Sequence, residues 1–190
     1  MRSVCQNHRR VLVAVTVILI LIVVLRLFGI LCLLRFLFQL AGANMYNPLV
    51  QGFARVTNPI LQPLRRFLPK HRLIDFSSGL VVLITFFIVR YLSNPDLVKA
   101  GQFHLLLVSS FVMAIKYVCW IFIGSILLTV IMSWVAPNVY SPATELARVL
   151  TEPVLRPLRK VLPAAAGFDF SPMLAMVGLS FILFLLRPYL

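Results

Sequence analysis

Two clusters of opposite charge recur in this chain at one spacing: Arg65-Arg66 precedes Asp75-Phe76-Ser77, and Arg159-Lys160 precedes Asp169-Phe170-Ser171. A pair of cationic side chains is the chemistry that grips a phosphate, such as an anionic lipid headgroup. With Arg156 added, the candidate lipid- or partner-binding set is Arg65, Arg66, Arg156, Arg159 and Lys160. A carboxylate with a hydroxyl two residues on either coordinates a cation or caps a helix by accepting an orphan backbone N–H. Helix capping, or a salt bridge to the nearby arginines, explains Asp75 and Asp169 without further chemistry, capping explains Ser77 and Ser171, and topological retention of positive charge explains the basic pairs. Two more charges, Arg35 and Lys116, stand inside apolar runs, where an ionisable group is a functional candidate by default. Other chemistries are not represented. Cys5, Cys32 and Cys119 lack metal-ligand spacing, His8, His71 and His104 are scattered, and there is no nucleophile beside a base, phosphate-cradling glycine loop or paired catalytic carboxylate. The sequence argues against an enzyme and implies no metal and no cofactor.

The elements that position these residues follow from a repeat. Residues 57 to 77 recur without a gap at residues 151 to 171, so that Pro59, Pro63 and Pro69 coincide with Pro153, Pro157 and Pro163. An internal period governs the choice of fold. Apolar residues make up 61% of the chain and charged residues 12%, with a mean hydropathy of +0.99, well outside the soluble globular range. This is a membrane composition. The 18 Lys and Arg outnumber the 5 Asp and Glu, but they sit between hydrophobic segments and no aromatic recognition motif accompanies them. Anionic lipids are the expected counterpart, not nucleic acid.

A basic segment, 1–10, precedes a first unit over 11–95, with spans at about 11–41 and 76–92 around an amphipathic stretch, 48–69. A second unit over 96–190 repeats the plan, with spans at about 105–135 and 170–187 and an amphipathic stretch at 142–163. The first apolar run, followed by Ala41-Gly42-Ala43, rivals a signal peptide. Cleavage would leave the first unit without the partner helix that the second unit keeps. Asn47-Pro48 and Asn58-Pro59 each read as a cap before a proline, so two helix starts in succession are expected, with a further disturbance at Pro63. The predicted architecture is an all-α membrane protein of four transmembrane helices. They form two parallel two-helix repeats, each with a proline-broken amphipathic interfacial segment between its spans. A pseudo-two-fold axis along the membrane normal should relate the repeats. Both connectors then share one side, and their nine Lys and Arg against six opposite predict that side to be cytoplasmic. Arg35 is expected to pair with Asp75, Glu152 or Asp169.

The repeated string T-x-P-x-L-x-P-L-R-(R/K)-x-L-P-x5-D-F-S, preceded by Tyr46 and Pro48 in one copy and by Tyr140 and Pro142 in the other, resembles the YggT family of small integral membrane proteins. The resemblance implies a multi-pass protein of the bacterial inner membrane, similar to plastid proteins that assist cofactor assembly of a cytochrome b subunit. Other relatives are tied to cell-division gene neighbourhoods or to growth under osmotic stress. The leading expectation is a non-enzymatic assembly or organising factor at the cytoplasmic face. Its expected partners are anionic lipids, an unidentified membrane protein and further copies of itself. The alternatives are a small oligomeric channel or ion transporter supporting osmotic tolerance, and a haem or cofactor assembly factor with His71 and His104 as single candidate ligands.

Overall fold

Apolar runs free of interior proline become the long helices. The computed structural model describes residues 2–65, 76–136, 139–161 and 169–189. Its elements are α1 (Arg2–Leu40), α2 (Pro48–Leu64), α3 (Phe76–Ser93), α4 (Pro95–Lys99), α5 (Phe103–Val135), α6 (Pro142–Val161) and α7 (Ser171–Leu186), closed by a 3-10 turn, Arg187–Tyr189. Among the described residues four helices are long and apolar enough to cross a bilayer: α1 from Leu12, α3, α5, and α7 with its closing turn. At 1.5 Å per residue, the 18 residues of α3 rise about 27 Å, close to the ~30 Å hydrocarbon thickness, whereas the 33 residues of α5 rise about 50 Å. The chain is an all-α membrane protein of four spans.

The connectors differ from expectation. Each is one continuous helix running through two prolines, Pro59 and Pro63 in α2 and Pro153 and Pro157 in α6, with no new start at Asn58. All four prolines lie on the exposed side. There the missing N–H and the displaced carbonyl disturb no packing, while the opposite stripe is anchored by buried Val50, Thr57 and Leu61 in α2 and by Leu146, Leu150, Thr151 and Leu155 in α6. The expected cap at Asn47 is formed, its side chain accepting from the Leu49 N–H at 3.0 Å. Pro69, Pro163, Arg66, His71 and Asp75 lie outside the described residues.

The duplication is carried into the core. Cys32 and Ile126, Thr57 and Thr151, Leu61 and Leu155, and Ser77 and Ser171 occupy equivalent positions, and all eight are buried. Helix α1 packs on α3, α3 on α5, and α5 on both α6 and α7. The joint between repeats centres on Phe86, fully buried, whose ring stacks on Tyr117 with centroids 5.3 Å apart. A two-fold axis would require α7 to pack against α1 as α3 packs against α5. No comparable packing joins α7 to α1 among the described residues. The side chains of α1 from Leu12 to Leu21 are exposed throughout. The repeats are therefore parallel but joined head to tail, not closed around an axis. Helices α2 and α6 do meet on one side: the Asn47 amide donates to the Pro142 carbonyl at 3.0 Å and to Glu145 Oε2 at 3.1 Å.

Candidate functional site

In each repeat the amphipathic helix and the end of the span before it meet at a polar site, joined in the second repeat by the residues that lead into α7. In the first, Arg35 extends from α1 across to α2. Its Nη1 donates to Thr57 Oγ1 at 2.6 Å, to Asn58 Oδ1 at 2.8 Å and to the Ala54 carbonyl at 3.3 Å. Thr57 is fully buried and passes its own proton to the Phe53 carbonyl, so its oxygen is left to accept from the guanidinium. The expected carboxylate partners divide: Asp75 is outside the described residues, while Glu152 and Asp169 both engage Arg159.

In the second repeat the constant offset places Thr129 where the first has Arg35, Glu152 where it has Asn58, and Arg148 where it has Ala54. Thr129 turns its hydroxyl back to the Ser125 carbonyl, 2.8 Å away, and cannot reach across. A cavity of about 440 Å³ remains, with Thr129, Arg148, Thr151, Glu152, Arg159 and Asp169 among its lining residues and Trp134 at its edge. Arg159 bridges the two acids, Nε to Asp169 Oδ2 at 2.9 Å and Nη1 to Glu152 Oε2 at 3.3 Å. The bond to Asp169 chiefly, with Glu152 adding to it, raises the Arg159 guanidinium above its ordinary value. Asp169 also accepts from the Ser171 N–H at 2.9 Å and so satisfies one orphan donor at the start of α7, as the capping reading expects of it, whereas Ser171 Oγ, expected to cap as well, is buried without a hydrogen-bond partner among the described residues. Partial burial pulls its carboxyl upward, but the hydrogen bonds from Ser171 and Arg159 outweigh that and hold it below the ordinary carboxylate range. At the junction of the connectors, Tyr140 donates to Glu145 Oε2 at 2.5 Å, which raises the phenol.

Of the remaining candidates, Arg156 and Lys160 are exposed on α6, Arg65 is half-buried at the end of α2, and Ser77 is buried at the start of α3. Lys116 is half-buried on α5 and lines neither polar site. Reading the sequence overlooked Thr57 and Thr151, read Asn58 as a helix cap and not as an acceptor for Arg35, and placed Glu152 with Arg35 where the structure pairs it with Arg159. It also passed over Arg26, whose Nε is buried without a hydrogen-bond partner among the described residues. The signal for the acceptors was available: 35 with 129, 54 with 148 and 58 with 152 are positions where the aligned copies differ in charge.

These features define a tandem-repeat, four-span membrane protein in which each repeat sets a polar site beneath a basic, proline-bearing helix. The chain belongs to the CCB3/YggT family, whose pattern matches it twice, over residues 14–95 and 108–190. Its relatives include an uncharacterized protein of Pseudomonas aeruginosa, 37% identical over 158 residues, covering 82% of this chain and 80% of that one. The uncharacterized protein YggT of Escherichia coli K12 is 35% identical over 163 residues, covering 85% and 84%. No solved structure matches.

Proposed function

We propose that this protein is a non-enzymatic assembly or organising factor of the bacterial inner membrane, acting at the cytoplasmic face through its two connector helices. One observation carries the reading: α2 and α6 touch and leave Pro59, Pro63, Pro153 and Pro157 exposed, with Arg55, Arg148, Arg156, Arg159 and Lys160 on the same helices. A proline inside a helix leaves the carbonyl four residues earlier without its N–H donor. The freed carbonyls are those of Arg55 and Pro59 in one helix and of Val149 and Pro153 in the other. Each is an unused acceptor for a partner's backbone or side-chain donor, beside cations that favour an acidic surface or anionic lipid. Placing a basic surface on the cytoplasmic side accords with the distribution of Lys and Arg.

The test is photocrosslinking in cells from single probe residues at Gln62 and Arg156, exposed sites on the two connectors. The expected result is capture of one and the same membrane protein from both sites, abolished when Pro59 and Pro153 are both replaced by alanine. Capture of lipid alone from both sites would refute the assembly role.

A further inference from the structure

The two polar sites are one construction filled in two ways. In the first repeat the acceptors on α2 receive a guanidinium that belongs to the chain itself, Arg35. In the second repeat the acceptor positions are kept and Glu152 adds charge, while the guanidinium supplied by the preceding span is gone and Arg159, from α6 itself, takes only part of the carboxylate's capacity. Thr151 matches Thr57, buried in the same way, and Glu152 puts a full negative charge where Asn58 offers a neutral oxygen. Arg159 uses only Glu152 Oε2; Oε1 accepts no hydrogen bond among the described residues. The same exchange that removes Arg35 brings in Arg148, so the cavity wall carries a guanidinium one helical turn before the Glu152 carboxylate on α6.

We infer that the cavity between α5, α6 and α7 is a binding site for an ammonium–phosphate zwitterion, the headgroup chemistry of an ethanolamine phospholipid. The ammonium would take the place that Arg35 fills in the first repeat, on Thr151 and Glu152, and the phosphate would meet Arg148 at the wall. Three features select this ligand class. The lining charges, Arg148 and Arg159 against Glu152 and Asp169, balance, so a ligand of net charge is disfavoured and one carrying both signs is matched. The acceptors are hydrogen-bond acceptors that need an N–H donor, which a primary ammonium has and a quaternary one lacks. The cavity is bordered by Trp134, 71% exposed at the end of a span, where an indole marks the headgroup level. Its volume of about 440 Å³ falls within the ~300–1,000 Å³ of small-molecule sites.

Binding is measured on the full chain in mixed micelles by native mass spectrometry and by the shift in unfolding temperature. The probes are phosphatidylethanolamine, phosphatidylcholine with the same acyl chains, and soluble glycerophosphoethanolamine. The ethanolamine lipid should be retained about tenfold or more over the choline lipid, the loss expected for one hydrogen bond to a charged group. Thr129→Arg supplies the missing guanidinium, and should erase that preference while raising the unfolding temperature in choline lipid. Glu152→Gln, at a half-buried position that tolerates the isostere, should erase the preference without the gain. Protection by glycerophosphoethanolamine as well assigns the site to the headgroup alone, and protection by the lipid only assigns it to the anchored headgroup; both support the inference. Equal retention of the two lipids by the unsubstituted protein, or an undiminished preference in both variants, overturns it.

Discussion

Replacing Arg35 by methionine keeps most of the apolar stem and removes the guanidinium that ties α1 to α2. Two of its hydrogen bonds, at 2.6 and 2.8 Å, have the length of charge-assisted bonds. In water-soluble proteins such a bond contributes about 1.5–3 kcal/mol, whereas couplings between membrane helices average about 0.6 kcal/mol and reach about 1.7. Arg35 is partly buried beside an interfacial helix, so the membrane scale applies. The two short bonds and the longer one to Ala54 then sum to a loss of about 2–4 kcal/mol. Thr57→Val keeps the shape of a fully buried side chain and removes its oxygen, at a cost of about 1–2 kcal/mol. Because both changes break the same bond, the double variant should lose about 1 kcal/mol less than the sum. Reversible unfolding in mixed micelles of increasing dodecyl sulfate fraction, followed by far-ultraviolet circular dichroism, gives each value. Thr151→Val is the control: buried alike in the other repeat, it should add to Arg35→Met within about 0.5 kcal/mol. If Arg35→Met and Thr57→Val prove equally additive, Arg35 does not hold the connector.

A methyl group added at Gly29 would meet Phe86 Cε1 at 2.6 Å, and Phe86 is pinned between α1 and Tyr117, so Gly29→Ala should cost about 1–3 kcal/mol in the same unfolding assay. Gly52 has nothing within 4 Å, and Gly52→Ala should instead stabilise by about 0.5–1 kcal/mol. Asp169 has a folded-state pKa below its unfolded value, so its contribution is present above about pH 4 and is lost as pH falls through the depressed value; acid unfolding midpoints should show that loss, and Asp169→Asn should remove it. Pro59→Ala restores an N–H to the Arg55 carbonyl on an exposed face, and should raise stability by up to about 3 kcal/mol while weakening crosslinking from Gln62.

The spans and the duplication were legible because hydropathy and an ungapped period are linear signals, and the membrane forces them into helices. The cap at Asn47 and the Asp169–Ser171 start of α7 were legible for a related reason: a cap is decided within three or four residues. The continuity of α2 and α6 was not. Asn58-Pro59 has the local grammar of a new helix, but whether the chain accepts it depends on where Thr57 and Leu61 are buried, and on Arg35 drawing the Asn58 side chain away from a capping role. That contact spans 23 residues and has no local trace. The expected two-fold failed on similar grounds. Equal topology fixes that both repeats face the same way, but the choice between a closed and an open arrangement rests on surfaces such as Phe86 on Tyr117, which only packing reveals.

The head-to-tail joint has a consequence for any shorter version of this design. A single repeat would end at α3 and lose Tyr117 from the ring of Phe86, a fully buried side chain that would then face lipid on that side. It would have to find a second copy by diffusion in the plane of the membrane. Here nine residues, from Asn94 to Gln102, tie the two halves together and hold the second copy at an effective concentration on the order of millimolar. The fused pair also has two unlike ends, one presenting the uncovered length of α1 and the other α7. Joining pairs through those ends would lengthen an array in one direction without changing the fold of any unit.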